Sequence, residues 1–316
     1  MKVLITGGAG FIGSNLTERL FDLNWQISII DNLSTGKLSN LQKVLNKVNF
    51  VQADIQNEVV VNELIEKSDL VIHLAAAVGV KNIVDSPIKS LKSNYNGSEI
   101  ILNSAAKHKK RILIASTSEI YGKNPRQPLS ESDDRVIGSP QKLRWTYADA
   151  KALEESLAYA LFLSEGLKVT TLRFFNTVGP RQTGMYGMVI PRFVSAALAH
   201  ENLEVYGDGN QTRVFCHIDD VIDALLKIIQ NDGTIGEVYN VGGVGEISIK
   251  NLAQEVIKIC ESNSRIIHRD YRDVYPSTFE DMQRRVPNID KLSLKINWSP
   301  KRNLQEIIID VKNSML

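Results

Sequence analysis

The sequence holds only two cysteines, Cys216 and Cys260, far apart in the chain and near no His/Cys cluster. That scarcity argues against a cysteine-built zinc site and against a secreted disulfide framework. Both are read as buried free thiols in a reducing cytosol. A charge surplus is also missing: 37 Lys+Arg stand against 36 Asp+Glu, a formal net charge of +1. No broad positive field is left to hold nucleic acid or an anionic membrane nonspecifically. The apolar run nearest to a membrane span, residues 70–80, contains His73 and falls far short of the ~18 residues needed. The N-terminus passes from an apolar strand straight into glycines, without the cleavage region of a signal peptide. What is present is 316 residues, 43% hydrophobic and 23% charged, enough for about two domains or one large α/β domain. The expectation is a soluble cytoplasmic globular protein with no metal, nucleic-acid partner or membrane partner.

Short β-rich runs recur at residues 2–6, 26–31, 49–53, 69–74, 111–116 and 168–174. Most are nearly continuous in Val, Ile and Leu, as strands buried on both faces should be. Helical patterns fill the gaps at 12–23, 58–67, 88–109 and 147–165. This alternation predicts right-handed crossovers and an α/β fold with a doubly wound parallel sheet, whose ligands bind at the carboxyl ends of the strands. After Phe174 the rhythm breaks at Pro180, Pro191, the Tyr206-Gly207-Asp208-Gly209 turn, Pro276, Pro287 and Pro300. Residues 1–174 are therefore read as a dinucleotide-binding domain to which 213–243 returns, and 175–316 as a smaller α/β substrate region. The polar stretch 123–144 lacks periodicity and lies between two candidate site segments. It is expected to be a loop, either solvated or at the rim of the site.

Gly7, Gly10 and Gly13 form G-x-x-G-x-x-G between the first strand and an amphipathic helix. Glycine permits the tight turn and lets backbone approach a pyrophosphate, while the free N–H groups at the helix start face the anion. Phe11 and Ile12 lie inside this turn. Asp31, followed by Asn32, ends the second strand, where an acid bonds a ribose 2′-hydroxyl and repels a 2′-phosphate. NAD is favoured over NADP. Asp54 and Ile55 follow strand three, with Asp54 suited to accept from the adenine amino group. Leu74, Ala75 and Ala76 follow strand four, where small side chains allow close backbone approach to the cofactor.

Tyr147 and Lys151 share a face of one predicted helix. A tyrosine near pKa ~10 becomes a usable base when an ammonium stands beside it, and Lys151 can also hold ribose hydroxyls. Ser116, Thr117, Ser118 and Glu119 close the fifth strand. Hydroxyls there reach a substrate hydroxyl or a developing oxyanion. A carboxyl there can serve as acid or base, or simply stand salt-bridged at the surface.

Taken together, the glycine turn, Ser116-Thr117, Tyr147-x-x-x-Lys151 and Phe175-Asn176-Thr177-Val178-Gly179-Pro180-Arg181 resemble the extended short-chain dehydrogenase/reductases that act on nucleotide sugars. The likeness spans essentially the whole chain. It implies a Rossmann domain, NAD retained through the cycle, a UDP-sugar substrate and a homodimer built on a four-helix seam. By this likeness Asn94 supports the cofactor, and Asn176, Val189, Arg192, Tyr206, Gln211 and Arg213 hold the nucleotide diphosphate. Every branch of this family first oxidises the sugar at C4, and the residues beside Thr117 separate the branches. Thr117-Ser118-Glu119 resembles the UDP-glucuronate decarboxylases, which use the β-keto acid so formed. A 4,6-dehydratase carries an acid where Ser118 stands, and a 4-epimerase of UDP-hexose or UDP-uronate needs no Glu119. Arg285, in a segment resembling the decarboxylases' Arg-x-Pro-(Asp/Asn)-Ile, would meet the sugar carboxylate or protonate C5. In an epimerase, arginines of this region grip the diphosphate instead. Leu153, Leu157, Ala160 and Leu161 are the residues expected to meet a twofold mate.

Overall fold

The computed structural model describes residues 1–77, 79, 86–184, 188–274 and 280–316. Pro276 and the end of the 70–80 run, Val78 and Val80, lie outside the described residues. Six strands, β1 (Lys2–Thr6), β2 (Gln26–Asp31), β3 (Asn49–Gln52), β4 (Leu70–His73), β5 (Arg111–Thr117) and β6 (Val169–Phe174), lie within two residues of the sequence pattern. A seventh, Val238–Val241, lies inside the returning segment 213–243, where Tyr239 and Asn240 between the two valines leave no apolar run to mark it. The sheet runs in the order Val238–Val241, β6, β5, β4, β1, β2, β3, with every pairing parallel. The order reverses between β1 and β4, which opens a crevice at the carboxyl ends of those strands.

Residue alternation along β1 shows why the sheet is covered on both sides. Val3 and Ile5 enter one core with helix α1 (Phe11–Asp22), the helix Ile218–Ile229 and Trp298. Leu4 enters a second core with α2 (Glu58–Glu66) and with the Pro87–Lys107 and Thr146–Glu165 helices. Fully buried strands read as continuous apolar runs for this reason. The Thr146–Glu165 helix stops at Gly166, whose φ of +71° closes the last turn in a conformation disfavoured for a side chain bearing a Cβ.

A third core, including Phe193, Val205, Leu252 and Ile307, lies between the helices Val189–Leu198, Ile249–Ile259 and Leu304–Asn313. Two small sheets of this late region frame the site. Thr177–Val178 pairs with Cys216–His217, and Thr212–Arg213 lies between Ile247–Ser248 and Arg284–Arg285. Arg213 therefore sits in the small sheet, and the return to the large one starts after it. Leu292, Ile296 and Trp298, from the stretch assigned by sequence to the substrate region, pack in the first core. Both cysteines are buried free thiols. Among the described residues no helix is long and apolar enough to cross a membrane.

Candidate active site

A cleft of about 1490 Å³ runs from the glycine turn to the small sheet. It exceeds the ~300–1,000 Å³ of single-ligand pockets and has room for two ligands side by side. At one end lie Gly7, Gly10, Phe11, Ile12 and Gly13, with Asp31, Asn32, Ile55, Leu74, Ala75 and Ala76. The N–H groups of Phe11, Ile12 and Gly13 precede the first intrahelical bond, and no side chain caps this terminus. A Cβ on Gly13 would lie 2.3 Å from the Gly7 carbonyl oxygen, and one on Gly7 would lie 2.8 Å from the Ala75 nitrogen. Those two glycines are therefore needed for packing. A Cβ on Gly10 would meet only the Gly7 carbonyl, at 3.1 Å, and otherwise stand in the cleft. The cradle thus fits a dinucleotide pyrophosphate. Gly10→Ala should lower NAD affinity about tenfold or more (~1.4 kcal/mol) with little change in melting temperature, whereas Gly13→Ala should unfold more readily. Calorimetric NAD titration and thermal melts check both.

Asp31 is buried at the end of β2 and accepts from the N–H groups of Ala9 (2.9 Å) and Leu33 (2.8 Å). Burial raises its pKa despite those two bonds. Three residues expected to touch the cofactor do not line the cleft. Asp54 instead accepts from the Asn32 amide (2.7 Å) and the Gln56 N–H (2.9 Å). Asn94 is buried and latches the backbone of Ala77 through both its amide oxygen (2.7 Å) and nitrogen (3.1 Å). It supports the cofactor wall indirectly. Lys151 is buried, with its ammonium 2.8 Å from Glu154.

In the middle of the cleft stand Ser116, Thr117, Ser118, Glu119 and Tyr147. β5 ends at Thr117, and the next turn begins with the Thr117 hydroxyl accepting from the Glu119 N–H at 3.2 Å. Ser116 Oγ is buried with no partner among the described residues. Tyr147 departs from expectation. Burial, and after it the charges of Glu119 and Glu154, push the tyrosine's pKa up against the opposing charge of Arg144, while the Lys151 ammonium is turned to Glu154.

Glu119 is gripped from two sides. Arg144 donates to both of its carboxylate oxygens, through Nη1 to Oε2 and through Nη2 to Oε1 at 2.8 Å. Arg285 Nη1 reaches Oε1 at 3.5 Å, while its Nη2 donates to the Asn176 amide oxygen at 2.5 Å. Burial alone would raise the Glu119 carboxyl, but the two guanidiniums outweigh it and hold the pKa below the ordinary glutamate value. Glu119 is therefore an ionised group. Burial and Arg213 push Arg285 down to about 10, and its Nε has no partner among the described residues. Arg144 was not identified from sequence. It lies in the stretch read as an aperiodic loop, three residues before Tyr147, and the i, i+3 spacing was the one available signal.

The far end is formed by Asn176, Val189, Arg192, Tyr206, Gln211 and Arg213. Arg213 pairs with Asp281 (2.9 Å), and the Arg192 guanidinium lies 4.2 Å from the Tyr206 ring centroid. The Tyr271 hydroxyl accepts from Gln211 and donates to Asp281, both at 3.0 Å. Tyr271 and Asp281 line the cleft and carried no motif in the sequence.

The profile of the NAD dependent epimerase/dehydratase family matches residues 3–242. The UDP-N-acetyl-α-D-glucosaminuronate decarboxylase of Bacillus cytotoxicus is 40% identical, over 95% of this chain and 92% of its own. The UDP-glucuronic acid decarboxylase 1 of Danio rerio is 34% identical, over 96% of this chain and 70% of its own. Among solved structures, the UDP-glucose 4-epimerase of Thermotoga maritima with UDP-glucose superposes with a TM-score of 0.91 at 27% identity. That match covers 100% of this chain and 98% of the epimerase chain. Pal from Bacillus thuringiensis superposes with a TM-score of 0.90 at 29% identity, covering 100% and 99%.

Proposed function

The chain belongs to the NAD dependent epimerase/dehydratase family, and from that premise we propose that it decarboxylates a UDP-linked hexuronate. The carrying observation is the Arg144–Glu119–Arg285 cluster, in which the buried Arg144 and the half-buried Arg285 share one carboxylate. Such a cluster accepts a second carboxylate, that of the sugar, with the Arg285 Nε as an additional donor. The 40% identical relative is named for this reaction class.

Gly7, Gly10, Phe11, Ile12 and Gly13 would hold the NAD pyrophosphate, and Asp31 the ribose. When bound, NAD supplies the acceptor for the C4 hydride and later returns it. Tyr147 takes the proton of the sugar C4 hydroxyl. The resulting 4-keto uronate is a β-keto acid, so the C5–carboxylate bond breaks and its electron pair passes to the C4 oxygen as CO2 leaves. The hydroxyls of Thr117, Ser116 and the newly protonated Tyr147 stabilise that oxygen. Glu119 is ionised and has no proton to give C5, so the donor is water or Arg285. Asn176, Val189, Arg192, Tyr206, Gln211 and Arg213 form the UDP end. Residues 1–174 with the returning segment are the NAD part, and most of 175–316 is the sugar-nucleotide part.

We further place the protein in the cytoplasm as a homodimer. Its two thiols are buried and unpaired. Leu153 (49% exposed), Tyr159 (53%) and Leu163 (67%) leave an apolar face on the Thr146–Glu165 helix. Leu161 is buried and Leu157 packs against the second core, so these two belong to the protomer's own packing rather than to the seam.

Incubating the protein with UDP-glucuronate and with UDP-N-acetylglucosaminuronate should release CO2 and leave a UDP-pentose or its N-acetylated counterpart. UDP-glucose and UDP-N-acetylglucosamine are the controls. Epimerisation of a control without CO2 from either uronate would replace this reading with a 4-epimerase.

A further inference from the structure

A chain of hydrogen bonds crosses the core to the helix that carries Tyr147. Thr6 Oγ1, at the end of β1, accepts from the N–H groups of Leu74 (3.2 Å) and Ala75 (3.1 Å), both of which line the cleft. The same oxygen lies 2.7 Å from His73 Nδ1, and His73 Nε2 lies 2.9 Å from Ser98 Oγ. Ser98 donates to Glu154 Oε2 at 2.9 Å, and that oxygen also takes the Lys151 ammonium at 2.8 Å. All five side chains are buried.

The donors fix the direction of the chain. The single Ser98 proton goes to Glu154, so Ser98 accepts from His73 Nε2–H, which leaves Nδ1 bare to accept the Thr6 hydroxyl proton. Burial and the Lys151 charge keep this histidine neutral, its pKa lowered to about 3. Every proton thus points toward one carboxylate, whose other oxygen, Oε1, has no partner among the described residues. A buried ion pair is weak evidence for stability, because desolvating two ions offsets their attraction. This pair is better understood through what its charge does to Tyr147, one turn away on the same helix.

We propose that Glu154 is a positioning residue: anchored by Ser98 and His73, it fixes the Lys151 ammonium behind Tyr147 and offsets part of that ammonium's pull on the tyrosine proton. The inference rests on Tyr147 being the base. One Lys151 donor is committed to Glu154, which leaves two for a ribose and the tyrosine. The charged and titratable groups around Tyr147 and this pair are Lys151, Glu154 and Glu155 on the helix, His73 from β4, Glu119 after β5 and Arg144 before the helix. Glu155 is held by Arg173 at 2.8 Å, so Glu154 is the carboxylate committed to Lys151.

Glu154→Gln keeps an oxygen for Lys151 and Ser98 but removes the charge. Lys151 then acts on Tyr147 unopposed, so the acid limb of kcat against pH moves to lower pH. The expected displacement of that limb is about one pH unit, with kcat lowered severalfold and KM for the nucleotide sugar unchanged. Ser98→Ala should give a smaller displacement, and Ser98→Thr should restore the parent profile. Ultraviolet titration of the Tyr147 phenolate, assigned by its loss in Tyr147→Phe, reads the same shift without substrate. If no uronate is turned over, the decarboxylase reading fails while the titration still decides Glu154. Folded Glu154→Gln with an unmoved acid limb and an unmoved phenolate titration would overturn the proposal. Should that variant not fold, Ser98→Ala decides by the same readouts.

Discussion

Tyr147→Phe is expected to lower turnover on the order of 10²- to 10⁴-fold while leaving NAD bound and the melting temperature nearly unchanged. The ring is buried, so phenylalanine fills the same volume and only the hydroxyl is lost. The glycine turn and Asp31 lie at the other end of the cleft from the sugar and do not depend on that oxygen. Steady-state rates, with NAD content measured after denaturation, separate the two effects. Turnover within tenfold of the parent would remove Tyr147 as the base.

The second large effect concerns Glu119. Glu119→Ala leaves Arg144 and Arg285 facing each other without their shared anion, and breaking such a buried arrangement costs about 3–5 kcal/mol. Decarboxylation should fall about 100-fold or more, because the guanidiniums that would meet the sugar carboxylate lose their fixed orientation. Glu119→Gln, which retains one acceptor oxygen, should lie between the alanine variant and the parent. The pH dependence has a definite sign. The folded pKa of Glu119 is depressed, so its stabilisation is fully present above the ordinary value of 4.5 and is lost as pH falls through the folded value. Urea denaturation at neutral pH and near pH 4 should show this acid sensitivity in the parent and less of it in Glu119→Ala. Equal acid sensitivity in both would show that the carboxylate carries no such linkage. An epimerase would keep nearly all its activity in either variant, since it needs no group to manage a carboxylate.

The parts of the molecule that were legible in the sequence are those governed by local rules. Val/Ile/Leu-rich runs marked β1, β4 and β5 because strands covered on both faces admit little else. The glycine turn was legible because Gly7 and Gly13 are forced by backbone approach and Gly10 by the space it leaves open. Side-chain partners across the fold were not. Lys151 was paired with Tyr147 on helical spacing alone, and nothing in that spacing reveals that Glu154 takes the ammonium at 2.8 Å. Arg144 meets Glu119 only because the 3₁₀ turn at Leu143–Trp145 brings the end of a long loop under β5. Asp54 occupies the expected position after β3, yet its own backbone turn and Asn32 hold its oxygens.

The half of the molecule that cradles NAD is not continuous in the chain. Its outer strand, Val238–Val241, arrives only after the first strand of the small sheet, Thr212–Arg213, has been made. Its first core closes on Leu292, Ile296 and Trp298, the last donating its indole N–H to the Asp220 carbonyl at 3.0 Å. During synthesis, β6 therefore stays an open edge until residue 241 has been made, and the Ile218–Ile229 helix lacks part of its packing until residue 298 has. The nascent protein can make its local βα units early, but a finished cofactor cradle waits for nearly the whole chain. That delay leaves a β-rich edge exposed to misassociation.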